Sequence, residues 1–314
     1  MNLDPTRPPE PFDIAPEIVE ALASGRGVVA LESTLIAHGL PRPANLETAI
    51  DSEAAVRSAG AMPATVAVIG GRVRVGLSAA DLERIAGSSS TIKAGRRDLA
   101  RAVAQRLDAA TTVSATLWIA RRAGITAMAT GGLGGVHREA GSTFDVSTDL
   151  DELAAAAGAL VVCSGFKSIL DLPATLQMLE TLGVPVVGFG TTDLPGFTAR
   201  STGLPLTARV DTLAEAAALW QAHRTLGLPG AIVLANPAPA DSALDRDESD
   251  ASLAVALAHA RSRGITGPAV TPFLLEEIRQ ATGGRSLHAN RALIVANARL
   301  AGEVASALVG PPPA

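Results

Sequence analysis

Six short apolar runs, separated by segments of helical spacing, limit this chain to few architectures. They are GVVALEST (27–34), TVAVIGG (65–71), ITAMAT (125–130), ALVVCSG (159–165), VPVVGFG (184–190) and AIVLANP (231–237). Runs this short and this apolar read as strands buried on both faces. RVRVGLS (72–78) follows Gly70-Gly71 closely enough to be a hairpin partner of the second run. Helical spacing is read over 14–23, 46–58, 81–86, 97–107, 114–123, 149–157, 168–182, 213–225, 251–263, 272–282 and 289–307. Such alternation predicts an α/β fold, its sheet largely parallel or mixed and covered by helices on both faces. No repeat or linker divides the chain, so a single domain is expected over 14–308. The Pro-rich stretch 1–13 and the closing 309–314 (VGPPPA) are read as tails, and DSALDRDESD (241–250) as a solvated loop ahead of a helix.

Composition narrows the class of function. A chain of 314 residues, 47% hydrophobic and 18% charged, can bury a large core. A net charge of −5 gives no electrostatic case for a nucleic-acid polymer or an anionic membrane as partner. Small phosphorylated ligands remain compatible with it. A single Cys excludes an internal disulfide and fits a reducing compartment. The N-terminal residues lack a signal-peptide pattern, and no apolar run approaches bilayer-spanning length, so a cytoplasmic location is expected.

The basic residues are more telling. Of 26, only two are Lys, at positions 93 and 167. A position that keeps Lys where Arg is used everywhere else points to what Arg lacks: an amine that can lose its proton and act as a nucleophile. There is no Tyr to serve as a phenolic acid or base.

Ligands of such sheets bind beyond the carboxyl ends of the strands. The first run delivers Glu32 there, either as a half-buried functional carboxyl or as the partner of a helix N-terminus; burial would raise its pKa and let it act as a general acid. ITAMAT leads into Gly131-Gly132-Leu133-Gly134-Gly135-Val136-His137-Arg138, a turn whose amides could approach an anion. Ser147, Thr148 or Asp149 could cap the following helix, while Asp145 precedes that cap and could hold a hard cation with waters in the other positions. ALVVCSG ends just before Lys167, where partial desolvation would free its amine for a Schiff base. Lys93, read as lying in a loop that follows no strand, suits an anion or a sugar oxygen. Cys163 reads as an inert buried thiol. His223 and His259 are read as structural within helices, and His38 and His288 as loop residues without an assigned role.

The motifs that carry these residues resemble, in content and order, the pseudouridine-5′-phosphate glycosidase family (the indigoidine synthase A-like proteins). They are ALESTLIAHGLPRP from Ala30, PATVAVIGG from Pro63, TIKAGRRDL from Thr91, ATTVSATLWIA from Ala110 and ATGGLGGVHR from Ala129. TFDVSTDLDEL from Thr143, VVCSGFKSILDL from Val161, LANP from Leu234 and TPFLL from Thr271 complete the set, which spans nearly the whole chain. The resemblance implies a three-layer α/β/α fold, a homotrimer, and a divalent metal, typically Mn²⁺ with Mg²⁺ as the alternative. It implies reversible cleavage of pseudouridine 5′-phosphate to uracil and ribose 5-phosphate. By motif, it makes Glu32 the proton donor and Lys167 the nucleophile, gives Lys93, Val113, Ser147, Thr148 and Asp149 substrate contacts, and gives Asp145 the metal. His137 is then a phosphate or metal-water contact and Asn290 a contact to uracil. Three other readings fit the same residues: a class I aldolase-like lyase acting through Lys167 on another sugar phosphate, a non-catalytic sugar-phosphate binding protein, and an enzyme of the same fold acting on a different base.

Overall fold

The computed structural model describes residues 10–265 and 270–309. The remaining parts of the Pro-rich segment and of the C-terminal VGPPPA lie outside the described residues. In chain order the strands are β1 (Phe12–Ile14), β2 (Val28–Glu32), β3 (Met62–Ile69), β4 (Arg72–Val75), β5 (Ile92–Ala94), β6 (Ala109–Thr111), β7 (Ala127–Ala129), β8 (Leu160–Cys163), β9 (Val186–Phe189), β10 (Ala208–Val210) and β11 (Ile232–Ala235). All join one mixed sheet in the order β1-β4-β3-β2-β7-β8-β11-β9-β10, with β6 pairing with β3 and β5 with β6. The β3/β4 hairpin and the β3/β6 pair are antiparallel; the other pairs are parallel.

Side-chain alternation along the central strands builds the three layers. Val28 and Ala30 of β2, Met128 of β7, Val161 and Cys163 of β8 and Val233 of β11 enter one apolar core. Their neighbours Val29, Leu31, Ala127, Ala129, Leu160, Val162, Ile232 and Leu234 enter the other. A period of two with both faces buried is why the runs look continuously apolar. The first core packs residues of helices Val113–Arg122, Thr148–Ala155 and Leu172–Thr181, the second those of Ala44–Ser58, Leu213–Thr225 and Arg285–Val309. The last of these approaches its neighbour closely: a Cβ on Gly302 would lie 2.8 Å from that of Ala59.

The structure differs from the sequence reading where elements are short or capped. Phe12 and Asp13, taken as tail, pair with Val73 and Arg74 as β1. Lys93 belongs to β5, a three-residue strand too short to show periodicity. Helix Arg246–Ser262 starts earlier than its apolar pattern, because the Asp245 carboxylate accepts the amides of Asp247 and Glu248; half of the acidic run is therefore a first helical turn. His288 lies within helix Arg285–Val309, not in a loop. That helix also corrects the expectation about apolar length. An 18-residue stretch within its 25 residues reaches a mean hydropathy of 1.5, enough by length and composition to cross a membrane, although Asn297, Arg299 and Glu303 interrupt any continuous run. Half of the apolar stretch is buried inside the fold, as expected of a core helix. His223 and His259 are helical as read, and His259 Nδ1 lies 2.5 Å from Glu277 Oε2.

Candidate active site

Four neighbouring parallel strands, β2, β7, β8 and β11, end on the same side of the sheet, and the polar residues converge there. β2 is buried throughout and places Glu32 at its last position, 5% exposed. The Thr130 hydroxyl, one residue beyond β7, donates to Glu32 Oε1. Burial pushes the Glu32 carboxyl above its ordinary 4.5, and the charge of Asp149 adds to this; Lys167, the Thr130 hydrogen bond and Lys93 oppose it. Its recorded partner is thus a neighbouring strand end and not a helix N-terminus.

Beyond β7 and β8 the two chains stay together. Ser164 N–H donates to Gly131 O (2.9 Å), Leu133 N–H to Gly165 O (3.0 Å) and Lys167 N–H to Leu133 O (3.0 Å). Phe166, fully buried, anchors the segment and leaves Lys167 half-buried beside it. The Gly-rich stretch therefore positions the lysine segment as well as forming a turn. Lys93 reaches the same place from β5. Its side chain keeps exposed surface, but desolvation lowers its pKa, the Lys167 charge lowers it further, and Glu32 and Asp149 oppose the shift. One carboxyl and the two lysines of the chain thus form a single electrostatic group. Cys163 is fully buried with its thiol pushed up to about 12, an inert core residue.

Two helices start at this rim. Ser147 caps Thr148–Ala155, its hydroxyl accepting from Asp149 N–H (3.2 Å). Val113 heads Val113–Arg122 and is buried, only 1% exposed. Asp149 is buried, and its two oxygens accept the amides of Ser114 and Gly134, each at 3.0 Å. Thr148 Oγ1 lies 3.2 Å from Ser114 Oγ. One carboxylate thereby locks two helix starts to the Gly-rich loop, and the first N–H groups of each helix lack intrahelical acceptors. The Asp149 carboxylate is itself the anion that meets such an N–H group, at Ser114. It leaves no room at Gly134, where a Cβ would sit 2.2 Å from Ser147 Oγ and 2.8 Å from Asp149 Oδ2. Gly134→Ala is expected to destabilise the fold by about 1–3 kcal/mol and to raise KM more than it lowers kcat, as read by thermal melts and initial rates.

Asp145 stands apart. Its carboxylate is exposed, with Oδ2 3.8 Å from His137 Nδ1, while His137 N–H donates to Asp145 O (3.0 Å). Among the described residues no group of three His, Cys, Asp or Glu side chains could hold a metal together. One carboxylate with an imidazole nearby fits a hard or borderline cation that keeps most of its waters, as Mg²⁺ and Mn²⁺ do.

A cavity of about 270 Å³ adjoins this centre, lined in part by His38, Ser168, Phe197, Thr198 and Asn290. His38 bonds Thr91 O through Nε2 (3.0 Å), next to Lys93, and burial keeps its imidazole below its ordinary 6.5. Asn290 carries a buried Oδ1 without a partner. An orphaned amide oxygen is costly unless a ligand N–H meets it. The sequence reading gives no role to Thr130, Ser164, Asn236 or Asn297, although the ATGGLGGVHR, VVCSGFKSILDL and LANP motifs contain the first three.

Comparison with known proteins follows the same outline. Residues 17–307 match the family described as Indigoidine synthase A like protein. A Herpetosiphon aurantiacus protein named pseudouridine-5′-phosphate glycosidase is 52% identical over 295 residues, covering 94% of this chain and 97% of its own. A Streptomyces griseus protein of the same name is 54% identical over 295 residues, with 94% and 91% covered. Among solved structures, the prealnumycin C-glycosynthase AlnA, in complex with ribulose 5-phosphate, superposes with a TM-score of 0.89 at 41% identity, covering 96% of this chain and 98% of its own.

Proposed function

The chain belongs to the indigoidine synthase A-like family, and from that premise we propose that it is a pseudouridine-5′-phosphate glycosidase. In this reading it reversibly converts pseudouridine 5′-phosphate and water to uracil and ribose 5-phosphate. The observation that carries the reading is the pairing of Glu32, whose burial favours a proton, with Lys167, carried by β2 and by the segment after β8 on either side of β7. The relatives' name and the sugar phosphate held by AlnA agree with it.

A C–C glycosidic bond needs this pair. An ordinary glycosidase uses two carboxylates and an oxygen leaving group, whereas uracil leaving from carbon would be a carbanion. Here neutral Lys167 attacks C1′ as the C1′–O4′ bond breaks, and Glu32 gives its proton to O4′. The nitrogen then returns a proton to Glu32. The nitrogen lone pair forms C1′=N while the C1′–C5 electrons take the Glu32 proton at C5, releasing uracil. Water adds to the imine, and the amine leaves as ribose 5-phosphate forms. Lys93, Val113 and the segment Ser147–Asp149 contact the substrate, and Asn290 Oδ1 receives a uracil N–H.

Asp145, with His137 beside it, would hold the Mn²⁺ or Mg²⁺, which supplies positive charge near the anionic substrate. Asp145→Asn is expected to raise the Mn²⁺ concentration for half-maximal activity by at least about 10–100-fold, with Glu32 and Lys167 unaffected; a metal titration of initial rates checks this. A homotrimer in the cytoplasm belongs to the same proposal, the trimer being read by sedimentation.

The test is incubation with pseudouridine 5′-phosphate and Mn²⁺, with uracil followed by chromatography. Equal uracil and ribose 5-phosphate is the expected result. A Lys167 adduct without uracil would move the substrate to another C-glycoside or an aldol, and neither adduct nor uracil would leave a sugar-phosphate binder.

A further inference from the structure

Asn297 is a fully buried amide in the middle of an otherwise apolar helix face, beside Ile294, Ala298 and Ala301. A buried side-chain amide persists only where its polar atoms are matched, and here they are. Nδ2 donates to Thr130 O (2.9 Å) and to Ser164 Oγ (3.1 Å), and Oδ1 accepts from Asn236 Nδ2 (2.9 Å). These partners are the first residues beyond β7, β8 and β11. Thr130 in turn donates its hydroxyl to Glu32, and Ser164 opens the segment that carries Lys167. One side chain therefore touches the exits of three strands, two of which lead to the reacting pair.

We propose that Asn297, supported by Asn236 of the LANP motif, is a positioning residue that holds the Thr130 hydroxyl on Glu32 and fixes the Glu32 carboxyl relative to the Lys167 segment. It touches no substrate and acts through Thr130 and Ser164. The Thr130 bond favours the charged carboxylate, so loosening it leaves burial less opposed. Lys167 and Lys93, which lower the Glu32 pKa, and Asp149, which raises it, are the other charged groups facing it, and none is altered in the variants below.

This inference rests on the proposed role of Glu32 for its kinetic consequence only. The experiment is therefore a carboxyl titration of the free protein by ¹³C NMR on glutamate-labelled samples, with Glu32 assigned by its absence in Glu32→Gln. In Asn297→Ala the Glu32 pKa is expected to rise, with little further rise when Thr130→Val is added. In turnover, kcat is expected to fall about 10²-fold, the scale of a small displacement of reacting groups, with KM little changed. A folded Asn297→Ala protein with the wild-type titration, or a shift that adds fully to that of Thr130→Val, would overturn the proposal. Should Asn297→Ala fail to fold, Asn236→Ala removes the nearer donor to Oδ1 and leaves the Ser164 hydroxyl at 3.4 Å, and an unchanged Glu32 titration there would overturn it equally. Failure of the glycosidase reading shows separately, as absence of uracil release by the wild type.

Discussion

Lys167→Arg is expected to lose turnover by about 10⁴-fold or more, the scale seen when a nucleophile that forms a covalent intermediate is removed. Arg keeps the positive charge and nearly the length but cannot shed its proton, so it separates nucleophilic chemistry from electrostatic attraction for the phosphate. Lys167→Ala should fall equally far in kcat and further in binding. The main chain of residue 167, which bonds Leu133 O, is retained in both variants, so the segment should keep its course. Lys93→Arg is the matched control. If Lys93 acts through charge, that variant keeps much of the activity, and initial rates for the three proteins side by side decide between nucleophile and bystander. Lys167→Arg at near-normal rate would sink the mechanism.

The second large effect belongs to Glu32. Glu32→Gln should lower kcat about 10²–10⁴-fold, the usual weight of a positioned acid or base, with KM nearly unchanged, since Gln conserves shape and can still accept from Thr130. In the wild type, the activity step requiring the protonated carboxyl should decline as pH rises through the raised Glu32 pKa, and Glu32→Gln should lack that decline. Stability follows the same linkage. The folded state binds this proton more tightly than the unfolded chain, whose value is near 4.5. The contribution of Glu32 is therefore fully present below 4.5 and is lost as pH rises through the folded value. Gln removes that loss, so the inactive variant should melt above the wild type at about pH 8, with the gap closing under acid. A less stable Glu32→Gln at both pH values would mean that the charged carboxylate is held favourably, against the acid role.

Much of this site was legible because strand ends are legible. Short, doubly buried strands announce themselves as apolar runs, and the polar residues closing them, Glu32 and Lys167, follow by position. The scarcity of lysine added chemistry that spacing alone lacks. Lys93 was assigned to a loop because β5 has three residues, one of them charged, and takes its strand geometry from pairing with β6. Such a strand is defined by its neighbour and not by its own pattern. Asn297 was invisible for a different reason. Its partners lie 61, 133 and 167 residues away, and an Asn within an Ala-rich helix shows nothing of which way it faces. Asp149 reads as one of three possible caps; the cap is Ser147, and the grip of Asp149 on Ser114 and Gly134 required the fold. The role of Val113 comes from motif resemblance alone, since spacing offers no reason to choose it, while Asp145 is also marked by its place ahead of the helix cap.

The central claim is that a sugar phosphate becomes covalently bound through the Lys167 amine. It is tested most directly by mixing the protein with ribose 5-phosphate, adding borohydride, and measuring intact mass and then the modified peptide. With only two lysines in the chain, the adduct has two possible side-chain addresses. The expected result is one reduced ribose 5-phosphate per chain, on the peptide containing Lys167, and none in Lys167→Arg. Uracil-releasing protein that yields no adduct, or one on Lys93 instead, would contradict the account.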